Sequence, residues 1–192
     1  MNTTETNVRR RLKSETASAH KKLDEMMSAR GPFDSVENYQ WYLSGMRVLC
    51  RYCEPSIEWV EKEAGLGGRE RSLVELIDSD LATVSNAPAP AGADFSTSLH
   101  ALSVPSRWAQ TYVLEGSAVG ASYMIKGARM KLPPGLAVKF LTQLASDARQ
   151  RWPVFVEALT ESNIDADEAV TAACGVFELA CRVFSSPTPE AS

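Results

Sequence analysis

Only two histidines occur in the 192 residues, and one of them stands in a pattern. His20 has Thr16 four residues before it and Asp24 four residues after it. On a helix these three side chains share a face. A carboxylate one turn away accepts the Nδ1 hydrogen of an imidazole and leaves Nε2 as a lone-pair donor. That is the usual orientation of a histidine that ligates a metal. The same residues also suit a surface histidine with an incidental ion pair. His100 has no comparable neighbours and reads as structural or exposed.

A second pattern lies in Tyr112-Val113-Leu114-Glu115-Gly116-Ser117-Ala118-Val119-Gly120-Ala121-Ser122. The segment is flanked by good helix formers, yet it carries Gly116 and Gly120 four apart. Two interior glycines cost roughly 2 kcal/mol of helix propensity relative to alanine. Something must offset that cost. Glycines one turn apart bare the backbone along one stripe, so a second helix or a flat ligand can lie close against it.

The cysteines carry less. Cys50 and Cys53 form a C-x-x-C, but Cys174 and Cys181 are seven apart, two helical turns and not a ligand knuckle. Both pairs fall in segments of helical pattern, where a thiol behaves as a small apolar group. They are expected to be structural.

The elements that must position these residues are helical nearly throughout. Leu12, Thr16, Ala19, Leu23, Met26 and Met27 recur at helical spacing, and Gly31-Pro32 ends that helix. Asp34 or Ser35 caps the next, through Tyr39, Leu43, Met46, Cys50 and Cys53. Pro55 suits the first position of a further helix holding Ile57 and Val60. A shorter helix spans Leu73 to Leu81, and the longest loop, with Pro88 and Pro90, runs from Asn86 to Asp94. Ser103 caps a long helix to about Met130. Another runs from Leu136 past Pro153 to Leu159, and Asp165 or Asp167 opens the last, to Phe184. No alternating strand pattern and no internal repeat are present. The expectation is an all-α domain over residues 1–184, of about seven or eight helices, followed by a disordered tail at 185–192.

Composition narrows the partners. Hydrophobic residues at 44% and charged residues at 23% are globular values. Twenty basic against 24 acidic residues gives 20 − 24 = −4, which favours neither nucleic acid nor an anionic membrane. Any anion must be held by a local basic patch. No secretory pattern follows the polar stretch Met1 to Arg11, and no apolar run reaches membrane length. A cytoplasmic protein with reduced thiols is expected.

The two motifs together resemble the haem oxygenases. Leu12-Lys13…Thr16…His20-Lys21-Lys22-Leu23-Asp24 is similar to the proximal-histidine helix of that family, and Tyr112 to Ala121 to its distal helix in the bacterial form. Tyr39-Gln40-Trp41-Tyr42-Leu43 through Glu54-Pro55 resembles the family's second helix. Trp152, Phe155 and Leu159 through Phe177 resemble its last two. Asp24 stands where most relatives have glutamate. Ala121 stands where many have glycine, Val119 where leucine is commoner, and Ser122-Tyr123 is unusual.

The resemblance implies a haem that is both cofactor and substrate, sandwiched between the first helix and the glycine-bearing helix. His20 would be the proximal iron ligand and Asp24 its hydrogen-bond partner. Thr16 would lie on the same face. Gly116, Ser117 and Gly120 would form the distal side, with room for dioxygen. Phe177 would wall the haem, and Lys13, Arg149 and Arg151 are the basic residues placed for its propionates. The implied reaction opens haem to biliverdin and releases carbon monoxide and ferrous iron. No flavin or dinucleotide motif is present, so electrons would come from an external ferredoxin or reductase. A bilin photoreceptor would be one acceptor of the product. The alternatives are a non-catalytic haem-binding or haem-storage protein and a helical interaction module. A di-iron oxidase is disfavoured, because neither histidine has a glutamate three residues before it.

Overall fold

The computed structural model describes residues 7–84 and 102–185. They form seven helices: α1 (Asn7–Glu15), α2 (Ala17–Arg30), α3 (Val36–Ala64), α4 (Leu73–Val84), α5 (Val104–Lys131), α6 (Lys139–Glu161) and α7 (Ala166–Ser185). His100, the loop from Asn86 to Asp94 and the expected tail beyond Ser185 lie outside the described residues. Among the described residues no strand occurs, and no helix is long and apolar enough to cross a membrane.

Local chemistry sets most of the boundaries. Ser35 caps α3 by accepting from the Asn38 amide at 3.1 Å, and Ser103 caps α5 by accepting from the Ser106 amide at 3.2 Å. Asp165 does the same for α7, accepting from the Glu168 amide at 2.8 Å. Gly31 closes α2 at φ 64°, a left-handed conformation natural to glycine, and its amide donates to the Met27 carbonyl. The cap of α6 comes from a distant helix. Val138 offers no side chain, so buried Asp80 on α4 accepts the amides of Lys139 at 3.0 Å and Phe140 at 2.9 Å. Burial pushes the Asp80 carboxyl above its ordinary range, against the lowering effect of those amides.

Two expected boundaries are corrected. The first helix is interrupted at Thr16 and becomes α1 and α2, although Thr16 still donates to the Leu12 carbonyl and the His20 amide to the Thr16 carbonyl. Pro55, expected to open a new helix, sits inside α3. An interior proline costs about 3 kcal/mol. Continuing the helix keeps Cys53, Ile57 and Val60 on the buried stripe, and burying each large aliphatic side chain returns about 1.5–3 kcal/mol.

The core has two apolar parts. The larger joins the middle of α3 to α4, the second half of α5, the start of α6 and the end of α7, around Tyr39, Tyr42, Leu43, Ile77 and Phe140. The smaller joins α1, the end of α3, the start of α5, the second half of α6 and the start of α7, around Leu12, Trp108, Phe155 and Leu159. The cysteines behave as expected. Cys50 and Cys53 are fully buried, and burial pushes the Cys53 thiol up to about 12. No group of side chains able to hold a metal ion occurs among the described residues.

Candidate functional site

The histidine helix is thinly attached. α2 has no fully buried residue; its partly buried Leu23, Met26 and Met27 rest against the core, and its main partner is α7. The His20 side chain is 60% exposed. Its Nδ1 donates to Asp24 Oδ2 at 2.8 Å, as the spacing requires. In the neutral tautomer that this contact selects, Nε2 carries the lone pair. Phe177 on α7 meets the imidazole edge-on, with ring centroids 5.7 Å apart. The imidazole is thus held from two sides and open on a third.

α7 also packs against α5, while α2 and α5 make no comparable contact with each other. The two helices therefore stand apart with α7 behind them. On α5 the buried residues Thr111, Leu114, Glu115, Ala118 and Ala121 form one face. Gly120 lies off that face and is exposed. A methyl built on Gly120 has no neighbouring atom within 4 Å, so this glycine serves no helix–helix contact. Gly116 differs. A methyl there meets the Trp152 ring of α6 at 3.5 Å, an ordinary packing distance. Close by, Val119 and Tyr123 are exposed, Tyr123 at 80%. A bare glycine flanked by exposed apolar side chains is an unpartnered helix face.

The remaining expected site residues divide. Lys13 on α1 and Arg149 on α6 are exposed, on two helices in contact. Phe177, expected as a haem-wall aromatic, stands beside His20. Ser117 is half-buried and its hydroxyl donates to the Leu114 carbonyl at 2.6 Å, which fixes its orientation along the helix.

Two of the expected residues are engaged elsewhere. Thr16 does share the His20 side of the chain, but it is buried and its hydroxyl donates to the Leu12 carbonyl at 2.6 Å. It shapes the junction between α1 and α2 instead of meeting a ligand. Arg151 is buried, and its guanidinium is committed. It pairs with Glu61 at 2.6 Å and Glu115 at 3.0 Å, and it also donates to the Gly67 carbonyl. A residue so engaged is not available to a propionate.

Sequence reasoning passed over Arg9, Trp152 and Glu115. Arg9 is four residues before Lys13 and stands near enough to Tyr112 to oppose the upward effect of burial on that phenol. Tyr112 in turn lies against Trp152, with ring centroids 5.7 Å apart. The i, i+4 spacing of Arg9 and Lys13 was the available signal. Glu115 gave none, since a glutamate before a glycine reads as solvent-facing.

Chemically, the arrangement offers an oriented imidazole on one helix and a bare backbone stripe on another. Exposed cationic side chains stand on the neighbouring helices. That donor set suits a flat, anionic, metal-bearing macrocycle.

The chain was compared with known proteins in sequence and in structure. No family model matches the chain. The chain is 27% identical over 175 residues to heme oxygenase PigA of Pseudomonas aeruginosa, covering 88% of this chain and 85% of that one. It shares its fold with the heme oxygenase of Neisseria meningitidis, known from NO- and CO-bound crystal structures. The TM-score is 0.73 at 21% identity, over 95% of this chain and 94% of the other.

Proposed function

We infer that this chain is a haem oxygenase: it binds haem as its substrate and opens the ring to biliverdin, releasing carbon monoxide and ferrous iron. The observation that carries the reading is the pair of helices held apart on α7. One presents the Asp24-oriented imidazole of His20, and the other the open face of Gly120. The similarity to PigA and the shared fold with the meningococcal enzyme support it.

His20 would hold the haem iron through Nε2, and Asp24 would fix the tautomer by holding the Nδ1 hydrogen. Phe177 braces the imidazole edge. Gly120 would leave space over the haem, with the Ser117 hydroxyl one turn away from it, and Trp152, which packs beside Gly116, would close one side of that space. Lys13 and Arg149, joined by Arg9, supply the positive charge that two propionates require. Bound haem would supply the iron for dioxygen chemistry, and the protein would supply its orientation. Electrons come from an external ferredoxin or reductase, since the chain has no motif for a flavin or a nicotinamide dinucleotide. A bilin photoreceptor is a candidate acceptor for the product, and the reaction is assigned to the cytoplasm.

The test is direct. Hemin added to the purified protein should give a Soret band and a resonance Raman iron–histidine mode. Reductant and oxygen should then convert the complex to biliverdin. His20→Ala should lose both the mode and the turnover. A wild-type iron–histidine mode in His20→Ala would refute the ligand assignment. A stable haem complex that never yields biliverdin would make this a haem-storage protein.

A further inference from the structure

Five charged side chains meet inside the bundle. Glu115 on α5 has a fully buried carboxylate. Its Oε1 accepts from Arg69 Nη2 at 2.9 Å and from Arg151 Nη2 at 3.0 Å, while Oε2 has no partner. Arg69, in the connection between α3 and α4, also donates through Nε to Asp147 at 2.8 Å. Asp147 on α6 is held in turn by Gln143 at 2.8 Å. Arg151 reaches Glu61 on α3 at 2.6 Å and the carbonyl of Gly67. Burial works against the Arg69 charge, but Glu115 and Asp147 outweigh it and hold the guanidinium proton more tightly than usual.

Such a network is a poor source of stability. The desolvation of buried ions offsets most of their attraction, and apolar residues of similar volume often do as well. Its placement suggests another role. It lies between the two apolar parts of the core, on α3, α5 and α6 together. The stretch of α5 that follows, Gly116 to Ser122, contains only one side chain larger than serine, the exposed Val119. Small side chains interlock weakly, so within this stretch apolar packing specifies the rotation less closely than it does at Trp108 and Leu114. Glu115 and Gly116 are neighbours on α5, as Arg151 and Trp152 are on α6. The ion pair Glu115–Arg151 therefore sits beside the contact of Trp152 with Gly116.

We propose that the Glu115–Arg151–Arg69 cluster, with Glu61 and Asp147, is a positioning network that sets the rotation of α5 and its register on α6. A helix turns 100° per residue, so fixing Glu115 inward fixes the bearing of Gly116 and Gly120. It also fixes the Trp152 ring beside them. The unpartnered Oε2 is consistent with a carboxylate retained for its geometry. This proposal rests on the haem oxygenase reading.

Glu115→Gln keeps the shape and removes the charge, and Arg69→Lys keeps the charge and removes the two-pronged geometry. Both are compared with wild type as haem complexes. Carbon monoxide is the probe, and its C–O stretch reports what stands over the iron on the α5 side. For Glu115→Gln we expect that band to shift or split, the biliverdin isomer ratio to change and turnover to fall about ten- to a hundredfold, the scale of a misplacement near 1 Å. The iron–histidine mode, set by α2, should stay unchanged. Arg69→Lys should show the same band shift to a smaller degree, and it carries the test if Glu115→Gln does not fold. A lowered melting temperature with wild-type C–O band and isomer ratio in the folded variants would overturn the proposal and leave the network structural. Failure of the wild-type protein to bind hemin would instead refute the functional reading.

Discussion

The two sides of the proposed haem site are built differently. α2, which presents His20, contributes no fully buried residue to the core. The facing wall of α5 and α6 holds Glu115 at no exposure and Phe140, Phe155 and Leu159 likewise fully buried. One side is a lightly held arm and the other is prebuilt. A helix that buries little cannot be stabilised much by the fold alone, since helical propensity over 14 residues is marginal in water. On the haem reading, the ligand completes the packing of α2 against a wall already formed.

Hydrogen exchange tests that contrast with the largest expected effect. In haem-free protein, α2 amides should exchange close to the unprotected rate, while α5 and α6 amides near Glu115 and Phe155 should exchange only on global unfolding. Hemin should protect α2 strongly and the wall little. Equal protection of α2 and α6 without haem would break the comparison.

The two arginines on α6 sharpen it next. Arg151→Ala leaves Glu115 and Glu61 short of a buried partner and should cost about 3–5 kcal/mol of stability. Arg149→Ala removes an exposed charge and should change stability by less than about 0.5 kcal/mol. It should weaken hemin affinity or change the biliverdin isomer. Denaturant melts and hemin titration separate the two, and an Arg151→Ala protein as stable as wild type would contradict the buried network.

The glycines give a small stability effect of opposite sign and a clear functional one. Gly120→Ala adds a methyl with no neighbour, so the haem-free protein should gain about 1 kcal/mol from helix propensity. The haem complex should nevertheless lose at least tenfold in turnover, about 1.4 kcal/mol in barrier. Gly116→Ala places its methyl against Trp152, so its gain in stability should be smaller. Normal biliverdin production by Gly120→Ala would sink the distal assignment of α5.

Much of this was legible in the residue pattern, because it depends on neighbours in the chain. Helix class, the caps at Ser35, Ser103 and Asp165 and the pairing of His20 with Asp24 are all contacts within four residues. Two boundary readings differed from the structure, for separate reasons. Pro55 was carried through α3 by the burial of Ile57 and Val60. Thr16 turned its hydroxyl back to Leu12 at the junction of two helices.

What only the tertiary structure decided were matters of long-range contact. Arg149 and Arg151 are both basic residues on one helix, two positions apart. They stand about 200° apart around its axis, so one is exposed and the other lies among Glu61, Glu115 and the Gly67 carbonyl. Gly116 and Gly120 look equivalent at a spacing of four, yet Trp152 covers the first and nothing covers the second. Periodicity names the face of a helix on which a residue lies. It cannot say which neighbour that face meets, because the neighbour is chosen by the packing of segments distant in the chain.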